Sequence, residues 1–164
     1  MQTKKRIILG SASPRRRELL EQIGISFEVR VSDKEEVYHS LIPEEIVKEL
    51  ALSKAENVAD DLREKQEQVK QISFDKKNNV LLDTIVIGAD TIVVSDGSIL
   101  GKPKDEADAV RMIRSLQGRS HKVYTGVAIL DYDDEGKRKS VVHAVETEVF
   151  VNPMSDEEIR EYAA

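Results

Sequence analysis

Ser11-Ala12-Ser13-Pro14-Arg15-Arg16-Arg17 places two small hydroxyls and three consecutive arginines at one helix start. Ser13 suits the N-cap, Pro14 the first helical position, and Gly24 a left-handed stop beyond Ile23, so Pro14–Ile23 is predicted helical. The helix dipole is positive at that end, and each arginine there costs roughly a few tenths of a kcal/mol. An anion offsets the cost. It accepts the first-turn N–H groups and pairs with guanidiniums, which grip phosphate in bidentate fashion, while Ser11 and Ser13 permit close approach and donate hydrogen bonds. The plainer alternative is a surface helix start whose arginines pair with Glu18 and Glu21. Consecutive residues diverge around a helix, so Arg17 is expected to be ordinary surface.

Phosphoryl chemistry also needs a carboxylate beside its cations, to activate water or hold a divalent metal. Asp90 is one candidate, following the apolar run Thr84–Gly88 and the small pair Gly88-Ala89. A turn residue bonding its own backbone suits that position equally. Glu35-Glu36 lies in a loop after the second expected strand, and Glu35 is read as solvated surface. Lys54 falls on the apolar stripe of a long helix, where it either snorkels to the stripe's edge or enters a cleft. Lys102, in Gly101-Lys102-Pro103, is a loop lysine suited to an anion or to plain solvation. His121 is expected to be structural. His39 and His143 lack ligand spacing, so a histidine metal site is not expected.

The whole chain bounds these candidates. It has 164 residues, 40% hydrophobic and 34% charged, which suits one soluble globular domain over residues 1–164. With no Trp and 4% aromatics, the core must be aliphatic. The absence of Cys removes disulfides, thiolate nucleophiles and Cys-based zinc sites. A net charge of -6 disfavours a nucleic-acid polymer as partner, so anion binding must be local. No apolar stretch reaches the length of a signal core or membrane span, and a cytoplasmic location is expected.

The elements that position the candidates follow from periodicity and punctuation. Strands are expected at Arg6–Leu9 and Ser26–Val31. A helix is expected from about Pro43 to Leu62, with stripe Val47, Leu50, Ala51, Ala55, Val58 and Leu62. Arg63–Asn79 reads as a frayed helix end and surface loop. Thr84–Gly88 is a buried strand that breaks at Gly88-Ala89-Asp90 and resumes at Ile92–Val94, before a hairpin turn at Asp96-Gly97. A helix spans Asp105–Gln117, capped by Asp105 and Gly118. Strands at Val123–Leu130 and Val141–Val151 flank a polar turn at Asp131–Lys139, and Ser155-Asp156-Glu157-Glu158 is a capping box for a last helix. Alternating strands and helices with a late hairpin give an α/β class with a mixed sheet.

With these residues in view, the chain resembles the Maf nucleotide pyrophosphatases. The resemblance rests on Ser11-Ala12-Ser13-Pro14-Arg15-Arg16 with Leu19-Leu20, Ala51-Leu52-Ser53-Lys54-Ala55, Ile87-Gly88-Ala89-Asp90-Thr91, Gly101-Lys102-Pro103, and Leu116-Gln117-Gly118-Arg119-Ser120-His121 followed by Val123 and Thr125-Gly126. Each is weak alone, and five in the right order are strong. The resemblance implies hydrolysis of a nucleoside triphosphate to a monophosphate and pyrophosphate. It implies an elongated Maf/ITPase-like mixed sheet flanked by helices, with two lobes around a central cleft, a divalent metal (Mg²⁺ or Mn²⁺) and often a homodimer. It implies that Asp90 is the general base, that Ser11, Ser13, Arg16, Glu36, Lys54 and Lys102 bind substrate, and that Asp90 and Glu36 face the metal. Arg15 and Thr91 match positions of base choice. Arg and Thr there accompany the dTTP/UTP branch, whereas the 7-methyl-GTP branch carries Trp and Gln. A non-catalytic nucleotide-binding regulator of cell division is the remaining alternative. Family members continue past the helix at Ser155 into Asp-Lys-Ala-Gly and Gly-Ile-Gln segments, so the chain is short at its C-terminal end relative to that pattern.

Overall fold

The computed structural model describes residues 5–72 and 83–164. The elements run β1 (Arg6–Leu9), α1 (Pro14–Gln22), β2 (Glu28–Val29), α2 (Pro43–Ile72), β3 (Thr84–Ser95), β4 (Ser98–Leu100), α3 (Glu106–Leu116), β5 (Ser120–Tyr132), β6 (Arg138–Phe150) and α4 (Asp156–Ala163). The strands form one mixed sheet in the order β2-β1-β3-β5-β6, with β4 on the far part of β3. β1 runs parallel to both neighbours, pairing Leu9 with Val29 and with Ile87. β3 and β4 are antiparallel across Asp96-Gly97, where both residues have positive φ, as a two-residue hairpin turn requires.

The chain divides into two compact units. The first, Met1–Asp90 with Gly126–Ala144, holds the aliphatic core. Ala51, Ala55, Val58 and Ala59 of α2 pack on Ile8, Val86, Ala128 and Leu130 of the sheet, with Leu62 against them. The stripe read from the sequence is therefore the buried face of α2.

Several boundaries differ from the sequence reading; β5 and β6, for instance, each begin three residues before the expected Val123 and Val141. The helix expected to end near Leu62 continues to Ile72, so Arg63–Ile72 is helical, and the rest of the expected loop, 73–79, lies outside the described residues. β2 is two residues rather than Ser26–Val31. The expected break at Gly88-Ala89-Asp90 does not exist: β3 is one strand of 12 residues. Gly88 is a packing slot rather than a breaker. A Cβ built there would lie 2.2 Å from the Ala51 carbonyl oxygen and 2.8 Å from the Ala55 nitrogen. Gly126 of β5 is a second slot, 2.2 Å from the Val47 carbonyl oxygen. The backbone of α2 thus lies directly on two strands, which side chains of any size at these positions would forbid.

The second unit, Thr91–Thr125 with Val145–Ala164, contains β4, α3 and α4 and buries Ile92, Tyr124 and Ile159. Its helices carry the caps expected of them. Asp105 Oδ1 accepts the Asp108 N–H at 2.8 Å. The Ser155 hydroxyl accepts the Glu158 N–H, and the Glu158 carboxylate accepts the Ser155 N–H at 2.7 Å. That backbone hydrogen bond, followed by the one from the Ser155 side chain, holds Glu158 below its ordinary value. A lowered carboxylate contributes stability above its unfolded pKa and loses it as pH falls through the folded one. Ser155→Ala is expected to lower the thermal midpoint by roughly 2–4 °C at neutral pH, and the difference shrinks below about pH 4. Circular-dichroism melts of both proteins at neutral and acidic pH check this.

Candidate active site

The turn between β1 and α1 is built around Ser11. Its side chain is buried, and its Oγ accepts the Ser13 N–H at 3.3 Å and an Arg16 guanidinium N–H at 2.9 Å. Arg16 is therefore folded back against the turn rather than extended into solvent. Ser13 was expected to cap α1 through its side chain and makes no such bond, although its backbone does begin the helix. Arg17 is exposed, as expected. Arg15 is exposed too, with a 3.5 Å approach to Glu18 that carries little energy at such exposure.

The carboxylate belongs to the same unit as this turn. Asp90 lies two residues beyond Gly88 in β3, and residues i and i+2 of a strand share a face. Gly88 faces α2, so Asp90 does as well. Lys54 sits on α2 between Ala51 and Ala55, the residues in closest contact with Gly88. Its Nζ donates to Asp90 Oδ1 at 2.6 Å and lies 3.6 Å from Glu36 Oε2. Lys54 and Asp90 side chains are 22% and 18% exposed, so the pair is shielded yet reachable. Of the two fates open to Lys54, the structure selects the cleft side rather than a snorkelling position. Asp90 is not a turn residue.

A cavity of about 190 Å³ opens here in the first unit, lined in part by Ser11, Ser32, Lys34, Glu36, Lys54 and Asn57. Ser11, Glu36 and Lys54 were singled out from the sequence. Ser32, Lys34 and Asn57 were not. Asn57 carries a legible signal, since it lies three residues after Lys54 and so on the same helix face. Ser32 and Lys34 belong to a segment without regular structure and show none.

Thr91 and Lys102 fall in the second unit. Thr91 directly follows Asp90, points to the other face of β3, and its hydroxyl is 3.0 Å from that of Thr125. Lys102 is exposed in the segment between β4 and α3. His121 lies in β5, with a buried Nδ1 that has no hydrogen-bond partner among the described residues. Also among the described residues, no three His, Cys, Asp or Glu side chains converge as a metal cage would require, and no helix is long and apolar enough to cross a membrane.

The fold is a mixed α/β sheet that carries a basic, hydroxyl-bearing turn and a lysine-held carboxylate. The family model described as Maf-like protein matches residues 6–164, and the chain belongs to that family. It is 43% identical over 156 residues to a dTTP/UTP pyrophosphatase of Agathobacter rectalis, covering 95% of this chain and 73% of that protein. It is 44% identical over 165 residues to a dTTP/UTP pyrophosphatase of Geotalea uraniireducens, covering 100% of this chain and 74% of that one. Among solved structures, the Staphylococcus aureus Ham1 protein aligns over 88% of this chain and 72% of its own at a TM-score of 0.49 and 16% identity.

Proposed function

We propose that the chain hydrolyses nucleoside triphosphates between the α and β phosphates, taking dTTP and UTP and releasing the monophosphate and pyrophosphate. Membership of the Maf family and the dTTP/UTP pyrophosphatases named above support this reading. The observation that carries it is the 2.6 Å contact of Lys54 with Asp90, in the same unit as the Ser11–Arg16 turn. Hydrolysis needs a base for the attacking water and cations for the phosphates, and these residues supply both.

Asp90 accepts the proton of a water aimed at the α phosphorus. Lys54 holds the Asp90 carboxylate in place and offers positive charge to the phosphates. Arg16, fixed by Ser11, binds phosphate oxygens, and Ser13 adds a donor. Arg15 and Thr91 bear on the choice of base.

Asp90 and Glu36 meet at one ammonium, which makes them a pair of oxygen donors rather than a full cage. That pair fits Mg²⁺ or Mn²⁺, because Mg²⁺ commonly takes one or two carboxylates and completes its shell with water and phosphate. The ion supplies charge neutralisation on the phosphates when bound. The cytoplasm, where nucleoside triphosphates are abundant, is the proposed location.

The test is pyrophosphate release from dTTP, UTP, 7-methyl-GTP and the common nucleotides with Mg²⁺ or Mn²⁺. Release from dTTP and UTP at least tenfold above the others is expected. A folded chain that binds nucleotide, seen as a raised melting temperature, but turns over none would be a sensor instead.

A further inference from the structure

The loop that carries Glu36 has no regular structure, yet it meets α2 in register. Along α2, Lys54, Asn57, Asp61 and Glu64 stand at i, i+3, i+7 and i+10, within an arc of about 80° at 100° per residue. They meet the loop in roughly reverse order, Lys54 at Glu36, Asn57 at Glu35, and Asp61 and Glu64 both at Lys34. Lys54 Nζ lies 3.6 Å from Glu36. Asn57 Nδ2 donates to the Glu35 carbonyl at 3.4 Å. Lys34 Nζ is 3.0 Å from Asp61 and 2.9 Å from Glu64. The Lys34 N–H donates to Ser32 Oγ, and the Ser32 side chain is hydrogen-bonded to Asp61. Lys54 and Asp61 are about 10 Å apart along the helix axis, which two extended steps of about 3.3 Å each cover with the reach of the Lys34 and Glu36 side chains. The three loop residues concerned are Lys34, Glu35 and Glu36.

The geometry points to Lys34 as a positioning residue: its clamp on Asp61 and Glu64 sets the register in which Glu36 is presented to Lys54 and the cavity. The inference rests on the function proposed above and deepens it. The clamp is the far anchor. Asn57 grips only the backbone and cannot distinguish Glu36 from a neighbour. The Glu36 contact at 3.6 Å is loose and cannot hold the loop alone. Lys34 also lines the cavity, so direct contact with substrate is the competing role. Asp61 is not among the residues lining it, and that separates the two.

The experiment measures kcat and KM for pyrophosphate release in Lys34→Met, Lys34→Arg, Asp61→Asn, Glu36→Gln and the Lys34→Met/Glu36→Gln double variant. Hydrogen–deuterium exchange of residues 32–39 and a thermal melt accompany each. Exposed ion pairs contribute little to global stability, so the melts should not move. A three- to tenfold loss of kcat/KM is expected in Lys34→Met and in Asp61→Asn, with faster exchange confined to 32–39. Lys34→Arg should restore the rate, and Lys34→Met should add nothing to Glu36→Gln. Additive losses, or a silent Asp61→Asn beside an impaired Lys34→Met, overturn the positioning role, the latter in favour of substrate contact. A wild-type chain without pyrophosphate release overturns the proposed function instead, and unchanged exchange in Lys34→Met overturns the clamp by itself.

Discussion

Asp90→Asn is expected to lower kcat for pyrophosphate release from dTTP by about 10²–10⁴-fold, the usual worth of a positioned general base. The amide keeps the size of the carboxylate and can still accept a hydrogen bond from Lys54, but it cannot take a proton from water. The melt should move little. The Lys54–Asp90 pair is partly exposed and Lys54 retains Glu36 nearby, so removing one charge does not strand the other in a dry interior. Pyrophosphate release under saturating substrate, beside a melt of the same preparation, decides the matter. A variant that keeps more than a tenth of the rate would remove Asp90 from the role of base. A variant that does not fold would say nothing of chemistry, and Asp90→Glu then serves as the comparison, since it keeps the carboxylate and displaces it by one methylene.

Gly88→Ala should rank with Gly126→Ala as one of the two most damaging glycine-to-alanine changes in the first unit. The new Cβ would sit 2.2 Å from the Ala51 carbonyl oxygen and 2.8 Å from the Ala55 nitrogen, both backbone atoms of α2. A flexible side chain could swing away, whereas a helix backbone must move as a body. Overpacking of a tight core costs about 1–3 kcal/mol and occasionally more, and this case belongs at or above the upper end. The displaced helix carries Lys54, so loss of stability and loss of activity should come together. Gly101→Ala is the stability control: nothing lies within 4 Å of its added Cβ and its φ is not positive. Its effect should stay within about 0.5 kcal/mol. Urea denaturation of the three proteins provides the comparison. Equal midpoints for Gly88→Ala and wild type would mean that α2 does not rest on β3 at this point.

Gly88 also marks where sequence reading and structure part. A glycine followed by Ala89 and Asp90 looks like the end of a strand, because Gly and Asp are the residues of turns. In isolation that reading is sound. It fails because a glycine inside a strand can equally be the place where another backbone comes close, and the choice depends on Ala51 and Ala55 in a helix far away in sequence. Ser13 shows the same limit on a smaller scale. A serine before Pro14 is a good cap by type, but its side chain makes no bond to the helix, while Ser11, two residues earlier, accepts from Arg16 instead.

Apart from the Ser13 side chain, most short-range chemistry was legible. The start of α1 at Pro14, the Asp96-Gly97 hairpin, the Asp105 cap, the Ser155–Glu158 box and the apolar face of α2 all depend on residues within a turn or two of each other. The sequence by itself therefore determined the α/β class, most element positions, the place of the Ser11–Arg17 turn at the start of α1, and the choice of Glu36, Lys54 and Asp90 as chemical groups of interest. Only the tertiary structure decided that β3 runs unbroken through Asp90, that Lys54 closes on it across 36 positions of sequence, and that Lys34 and Asn57 join the same cavity wall. The physical reason is packing. Two glycines and a row of alanines let α2 lie against the sheet backbone, and that contact sets which distant side chains fall within hydrogen-bond reach.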